Sequence, residues 1–193
     1  MSHFFAMLSR MKYIDRWGLM RNTRRENISE HSLDVAVIAH ALAVLRNTRF
    51  GGKVNPERAA LLAIFHDTPE IVTGDLPTPV KYYSPQIRSA YREVELGAQQ
   101  KLLGMLPKDL EPAYRPLIVQ DDPADSELLP LVKAADKISA VIKCVEERRM
   151  GNSEFKKAEE TLLASISSMN LPEAECFLCE FLPSYSLTLD EQE

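Results

Sequence analysis

Three cysteines in 193 residues leave little to build a disulfide framework from, and an odd count strands one thiol in any pairing. The setting this predicts is a reducing cytoplasm. Long apolar runs are missing too: no stretch approaches the roughly 18–20 residues that span a bilayer. The opening MSHFFAMLSRMK lacks the charged, apolar, small-residue order of a secretory leader. Positive charge is in deficit. A net charge of −5 and a pI near 5.5 argue against a surface for nucleic acid polymers, though a local basic pocket stays open. Repeats, low-complexity tracts and the sustained alternation of strands are also absent from the sequence.

What is present is helical. Hydrophobic residues make up 45% of the chain, enough for one compact domain over residues 1–193 with a polar tail from about 186. A first amphipathic helix is expected over 2–14, with Phe4, Phe5, Leu8, Met11 and Ile14 on one side. Ser29 is read as the cap of a second, whose apolar side carries Leu33, Val37, Ile38, Ala41, Leu42 and Leu45. Asn55-Pro56 opens a third that runs through AALLAIF to His66-Asp67, where Thr68-Pro69 predicts an irregular end. Thr68-Pro69-Glu70 begins a short helix that Gly74 ends, and Asp75 to Pro79 reads as a rigid extended loop. Ser84-Pro85 begins a helix to about Leu106, with another over 108–119. Ser126 opens a long one, closed by Gly151, and two more follow over 154–168 and 173–181. The expected fold class is all-α.

Several polar residues stand out. His66 and Asp67 are neighbours, and on a regular helix their side chains would diverge by about 100°; only a helix end lets both reach one point. His31 falls in the first turn of the second helix, where an isolated histidine is ordinarily structural or exposed. Asp136, beside Ala134-Ala135 in an apolar helix, is exposed, paired or metal-bound, since burying it alone is prohibitive. Arg16, Arg21, Arg24 and Arg25 cluster around Trp17 in an otherwise acidic chain; each alone reads as solvated, but guanidinium groups also match phosphate oxygens. His40 reads as a core histidine or one packed behind a site. Cys176 and Cys179 form a C-x-x-C without a second pair and are read as core cysteines.

Together His31, His66-Asp67 and Asp136 make the pattern H…HD…D, with ENISEHSLDVAVIAHALA, HDTPEIVTGDLPTPVKYY and DRWGLMRN around it. In these stretches the chain resembles the HD-domain phosphohydrolases, and within them the bacterial 5′-deoxynucleotidases, from residue 2 to about 190. The resemblance implies a helical bundle that holds one divalent metal ion through His31, His66, Asp67 and Asp136. Two imidazoles and two carboxylates suit a six-coordinating ion such as Mn²⁺ or Co²⁺, with two positions left over. Zinc closed tetrahedrally by all four would keep no position for catalysis.

The other roles are implied by the same likeness. Arg16 matches a phosphate-binding arginine, and Trp17 an aromatic that packs on the sugar and disfavours a 2′-hydroxyl. Asp75, Pro77 and Thr78 match substrate-binding positions, and His31, Asp67 and Asp136 are expected to face the substrate as well. Glu70, four residues after His66, is the candidate for orienting or deprotonating the attacking water. Asp75 is the candidate proton donor to the leaving 5′-oxygen. The expected substrate is a deoxyribonucleoside 5′-monophosphate and the expected assembly a homodimer. The rival readings are a nucleotide-binding regulator without turnover and a phosphohydrolase of longer nucleotide phosphates.

Overall fold

The computed structural model describes residues 1–81 and 83–192. Its elements are helices α1 (Phe4–Leu8), α2 (Ile28–Arg49), α3 (Pro56–Phe65), α4 (Glu70–Thr73), α5 (Thr78–Lys81), α6 (Pro85–Leu103), α7 (Glu111–Ile118), α8 (Leu129–Arg149), α9 (Lys156–Ser167) and α10 (Pro172–Glu180), with short 3₁₀ turns between some of them. Among the described residues the one β feature is an isolated bridge between Asp15 and Asn27. The fold is all-α.

α2 is the central rod, packed against α3, α8 and α10. Its buried side carries Val35, Ala36, Ile38, Ala39, Leu42, Ala43 and Leu45, while Leu33 and Val37, expected inside, are 62% and 63% exposed. Small residues at 36, 39 and 43 let neighbouring helices approach closely, so the buried arc is centred away from Leu33 and Val37. His40 is exposed, not a core residue, because it falls on that outer arc. By length and composition α2 could cross a bilayer, contrary to the expectation that no segment qualifies. A search for unbroken apolar runs misses it because His31, Asp34 and His40 interrupt the run. Most of this stretch is buried inside the protein.

The capping chemistry differs from expectation in detail. Asn27, not Ser29, starts α2: its side chain accepts from the amides of Ser29 and Glu30 at 3.0 and 3.1 Å. Asn55 and Ser84 cap α3 and α6 as their sequences suggest, each followed by Pro in the first turn. α8 begins at Leu129 rather than Ser126, after a 3₁₀ turn over Pro123–Asp125. The first helix is broken, passing from α into a 3₁₀ turn over Ser9–Tyr13. The 75–79 loop is not extended throughout, since Thr78 begins α5 and Pro79 sits in its first turn, where no amide is missed. Cys179 is exposed and not a core residue, whereas Cys176 is half-buried and packs against the principal apolar cluster. Cys176 Sγ also lies 3.0 Å from Arg49 Nη1.

Candidate active site

Three segments far apart in the chain converge. α2 supplies His31 at the end of its first turn, the break after α3 supplies His66 and Asp67, and α8 supplies Asp136. The break is built locally. Thr68, wholly buried, donates its hydroxyl to the Phe65 carbonyl at 2.7 Å, and the His66 amide turns to the Ala63 carbonyl. A 3₁₀-like twist at this point swings Asp67 to the same side as His66.

One ligand atom from each of His31, His66 and Asp67 lies within 4.8 Å of the others. His31 Nε2 stands 3.2 Å from Asp136 Oδ1 and 3.5 Å from Asp67 Oδ2, and His66 Nε2 stands 3.1 Å from Asp67 Oδ2. Both Nε2 atoms are nonetheless buried without a hydrogen-bond partner, so the contacts converge on a point rather than align as donor and acceptor. His31, His66 and Asp67 are placed so that they could hold a metal ion together. His66 Nδ1 donates to the Ala63 carbonyl at 2.7 Å, which leaves the Nε2 lone pair facing the cluster. His31 Nδ1 meets Arg16 Nη1 at 2.8 Å, Ser139 Oγ at 3.2 Å and Glu26 Oε1 at 3.6 Å. Arg16 can only donate, so its 2.8 Å contact makes Nδ1 the acceptor and puts the ring proton of a neutral His31 on Nε2, facing the carboxylates. Holding a cation through Nε2 would require that proton to leave, or to move to Nδ1 toward Ser139 or Glu26.

The charges agree. Burial would raise both Asp67 and Asp136, but the two imidazoles outweigh it, joined at Asp136 by Arg16, and hold both carboxylates low. Burial pulls the His66 imidazole down, yet Asp67, Asp136 and the Ala63 carbonyl override it and push it up to about 9. The pocket's potential is negative and favours a positive charge at this point.

Around the cluster, Arg16 is held by Glu26 Oε1 at 3.1 Å and reaches to 3.9 Å from Asp136. Trp17 adopts φ +60°, a left-handed conformation costly for a bulky residue. Its amide donates to Asp75 Oδ2 at 3.3 Å, its carbonyl accepts from Met20 at 2.8 Å, and its indole N–H donates to Glu26 Oε2 at 2.8 Å. The ring packs edge-on against Phe155 at 5.3 Å. Glu70 opens α4, and one of its carboxylate oxygens is buried without a partner. Burial, with Asp67 and Asp75 nearby, pushes it up to about 9. Asp75 follows Gly74, whose φ of +72° turns the chain out of α4; burial raises this carboxyl, against the pull of Arg16 and the Trp17 amide. Pro77 is half-buried and Thr78 exposed at the start of α5.

The family described as 5′-deoxynucleotidase YfbR-like matches residues 3–185. A 5′-deoxynucleotidase of Erwinia tasmaniensis is 52% identical over 190 residues, covering 98% of this chain and 96% of that one. One from Vibrio vulnificus is 50% identical, covering 98% and 97%. The chain belongs to the YfbR-like 5′-deoxynucleotidase family. Solved HD-domain structures share the architecture of this family member: an HD-domain phosphohydrolase of Listeria innocua superposes with a TM-score of 0.79 at 26% identity, covering 95% of this chain and 88% of that one. A cyanophage S-2L HD phosphohydrolase, solved with dA and one catalytic Zn²⁺, gives 0.63 at 20% identity, covering 92% and 93%.

Reading the sequence of this family member missed three residues that shape its site. Glu26 is the sole acid of RNTRREN, and that isolation was the available signal. Ser139 sits one turn after Asp136 on α8, a spacing that was legible. Glu147 has one trace in the sequence, Lys143 four residues earlier on α8, but its partners Thr23 and Arg24 come from a distant loop. Arg21, Arg24 and Arg25 are exposed, and their partners are Glu154, Glu30 and Asp15.

Proposed function

We propose that this phosphoric monoester hydrolase, a 5′-deoxynucleotidase, acts on deoxyribonucleoside 5′-monophosphates at one divalent cation held by His31, His66, Asp67 and Asp136. The observation that carries the cation site is the pair of buried imidazole Nε2 atoms without hydrogen-bond partners, facing two carboxylates. The mixed N/O set fits Mn²⁺ or Co²⁺, and the zinc of the cyanophage neighbour adds a third candidate. Such an ion acidifies a nearby water and draws charge from a phosphoryl oxygen.

The chain's own residues supply the rest. Arg16 binds phosphate oxygens through its planar fork. Glu70, pushed up to about 9 by burial beside Asp67 and Asp75, takes the proton of the attacking water once it has lost its own, as that oxygen bonds to phosphorus. The bond from phosphorus to the 5′-oxygen breaks, and Asp75, whose carboxyl burial lifts above its ordinary value, delivers a proton to the departing oxygen. Trp17 lies against the deoxyribose and leaves no room for a 2′-hydroxyl, and Pro77 and Thr78 close the nucleotide side. Deoxynucleoside and orthophosphate leave.

The three free cysteines suit a reducing cytoplasm, and a homodimer completes the reading. Phosphate release from deoxy- and ribonucleoside monophosphates, with the phosphate at the 5′ or 3′ position and added Mn²⁺ or Co²⁺, is the test. Preference for 5′-deoxynucleotides is expected. Tight binding of a deoxynucleotide without turnover would make the protein a regulator instead.

A further inference from the structure

We propose that Glu26 is a positioning residue that sets phosphate and sugar recognition together. Its carboxylate is the shared hub of the two side chains assigned to those tasks: Oε1 holds Arg16 Nη1 at 3.1 Å, and Oε2 accepts the Trp17 indole N–H at 2.8 Å. The backbone reinforces the hub, since the Arg16 amide donates to the Glu26 carbonyl at 2.9 Å, and Asp15 and Asn27 bridge beside it. Only 12% of either the Arg16 or the Glu26 side chain is exposed, so water does not replace a lost partner freely. Glu26 itself stands behind the site, 3.6 Å from the far nitrogen of His31, and acts through its neighbours.

The two oxygens have separate duties. Without the Glu26 carboxylate, the Arg16 side chain would keep only the polar contacts to His31 Nδ1 at 2.8 Å and to Asp136 at 3.9 Å. Trp17 sits on a strained backbone, and its indole N–H bond to Glu26 is a side-chain restraint on the ring's orientation. A glutamine at 26 keeps the shape but has one acceptor oxygen in place of two, and it loses the charge. It cannot hold both partners.

The inference rests on the proposed deoxynucleotidase reading, and the experiment separates the two. Wild type, Glu26→Gln, Trp17→Phe and the double variant are assayed on deoxyadenosine and adenosine 5′-monophosphates with Mn²⁺. Because Trp17 is the one tryptophan in the sequence, its intrinsic emission reports the ring directly. Glu26→Gln should lower kcat/KM on both nucleotides by about tenfold, the loss of one charge-assisted hydrogen bond. It should also compress the deoxy-to-ribo ratio and shift the tryptophan emission, while the circular dichroism stays that of the parent. In the Trp17→Phe background, which has no indole N–H, the same Glu26 change should no longer move the ratio but should still lower the rate through Arg16. An unchanged emission and ratio in Glu26→Gln, or equal effects on the ratio in both backgrounds, overturns the inference. A wild type inert on both nucleotides overturns the enzymatic reading instead, and the emission shift still decides the Glu26–Trp17 contact.

Discussion

Glu147 offers the sharpest test of how the substrate loop is held. It lies on α8, 1% exposed, and its carboxylate accepts from Lys143 Nζ at 2.5 Å, the Thr23 amide and hydroxyl at 3.0 and 2.7 Å, and Asn152 Nδ2 at 2.8 Å. Lys143 Nζ in turn donates to the Arg24 carbonyl at 2.5 Å. Through these bonds the loop that ends in Glu26 is moored to the helix that bears Asp136. Glu147→Ala leaves a buried ammonium without its counter-charge, a loss of about 3–5 kcal/mol. For a chain of this size each kcal/mol moves Tm by about 2–4 °C, so a loss of about 4 kcal/mol lowers Tm by about 8–16 °C. Glu147→Gln keeps an acceptor for Thr23 and should fall about halfway. Lys143→Met with Glu147→Leu removes both charges but strands the Arg24 carbonyl and the Thr23 amide, and should cost less than the two single changes added together.

The pH dependence has a definite sign. Burial would raise the Glu147 carboxyl, but Lys143, Thr23 and Asn152 bring it from the ordinary 4.5 down to about 2. Its contribution is therefore fully present above about 4.5 and is lost as pH falls toward about 2. Calorimetric melts of the parent and Glu147→Ala should converge across that window. An alanine variant that melts within about 2 °C of the parent at pH 7 would sink the reasoning.

The remaining predictions concern the site. Asp67→Asn or His66→Ala should abolish saturable Mn²⁺ binding in titration calorimetry. In the parent, affinity should rise from pH 6 to 9, because His66, pushed up to about 9, must give up its proton to bind. Trp17→Ala should bring the deoxy-to-ribo ratio of kcat/KM close to one with metal affinity unchanged. Glu70→Gln and Asp75→Asn should each cost about 10²–10⁴ in rate. Glu70→Gln should also erase the low-pH limb of the rate profile and Asp75→Asn the high-pH limb; identical profiles would undo that division of labour.

What the sequence discloses here tracks how local the determinant is. His66 and Asp67 at a helix end and Asn55-Pro56 at its start are set by residues a turn or two apart, and both are found as expected. The exposure of Leu33, Val37 and His40 depended on how many neighbours crowd α2, which periodicity cannot count. Asn27 outcompetes Ser29 as a cap because the chain enters from the Asp15 bridge in an extended conformation that ends at Asn27. Glu26 meets Trp17 across a loop of 9 positions, and Glu147, though Lys143 is one turn away, owes its role to Thr23 at a separation of 124. Charge in a loop is uninformative until the fold brings its counterpart.

α2, the turn after α3, and α8 each contribute to the proposed cation site, and the three helices belong to the principal apolar cluster. A cation gripped there would act as a rivet that ties α2 and α8 to the turn at the end of α3. Loading with ion at a hundredfold excess over its dissociation constant adds about 2.7 kcal/mol against unfolding, and that increment is felt by the whole bundle because no ligand can let go without disturbing a core helix. Chelation is thus a perturbation of the fold as much as of the chemistry.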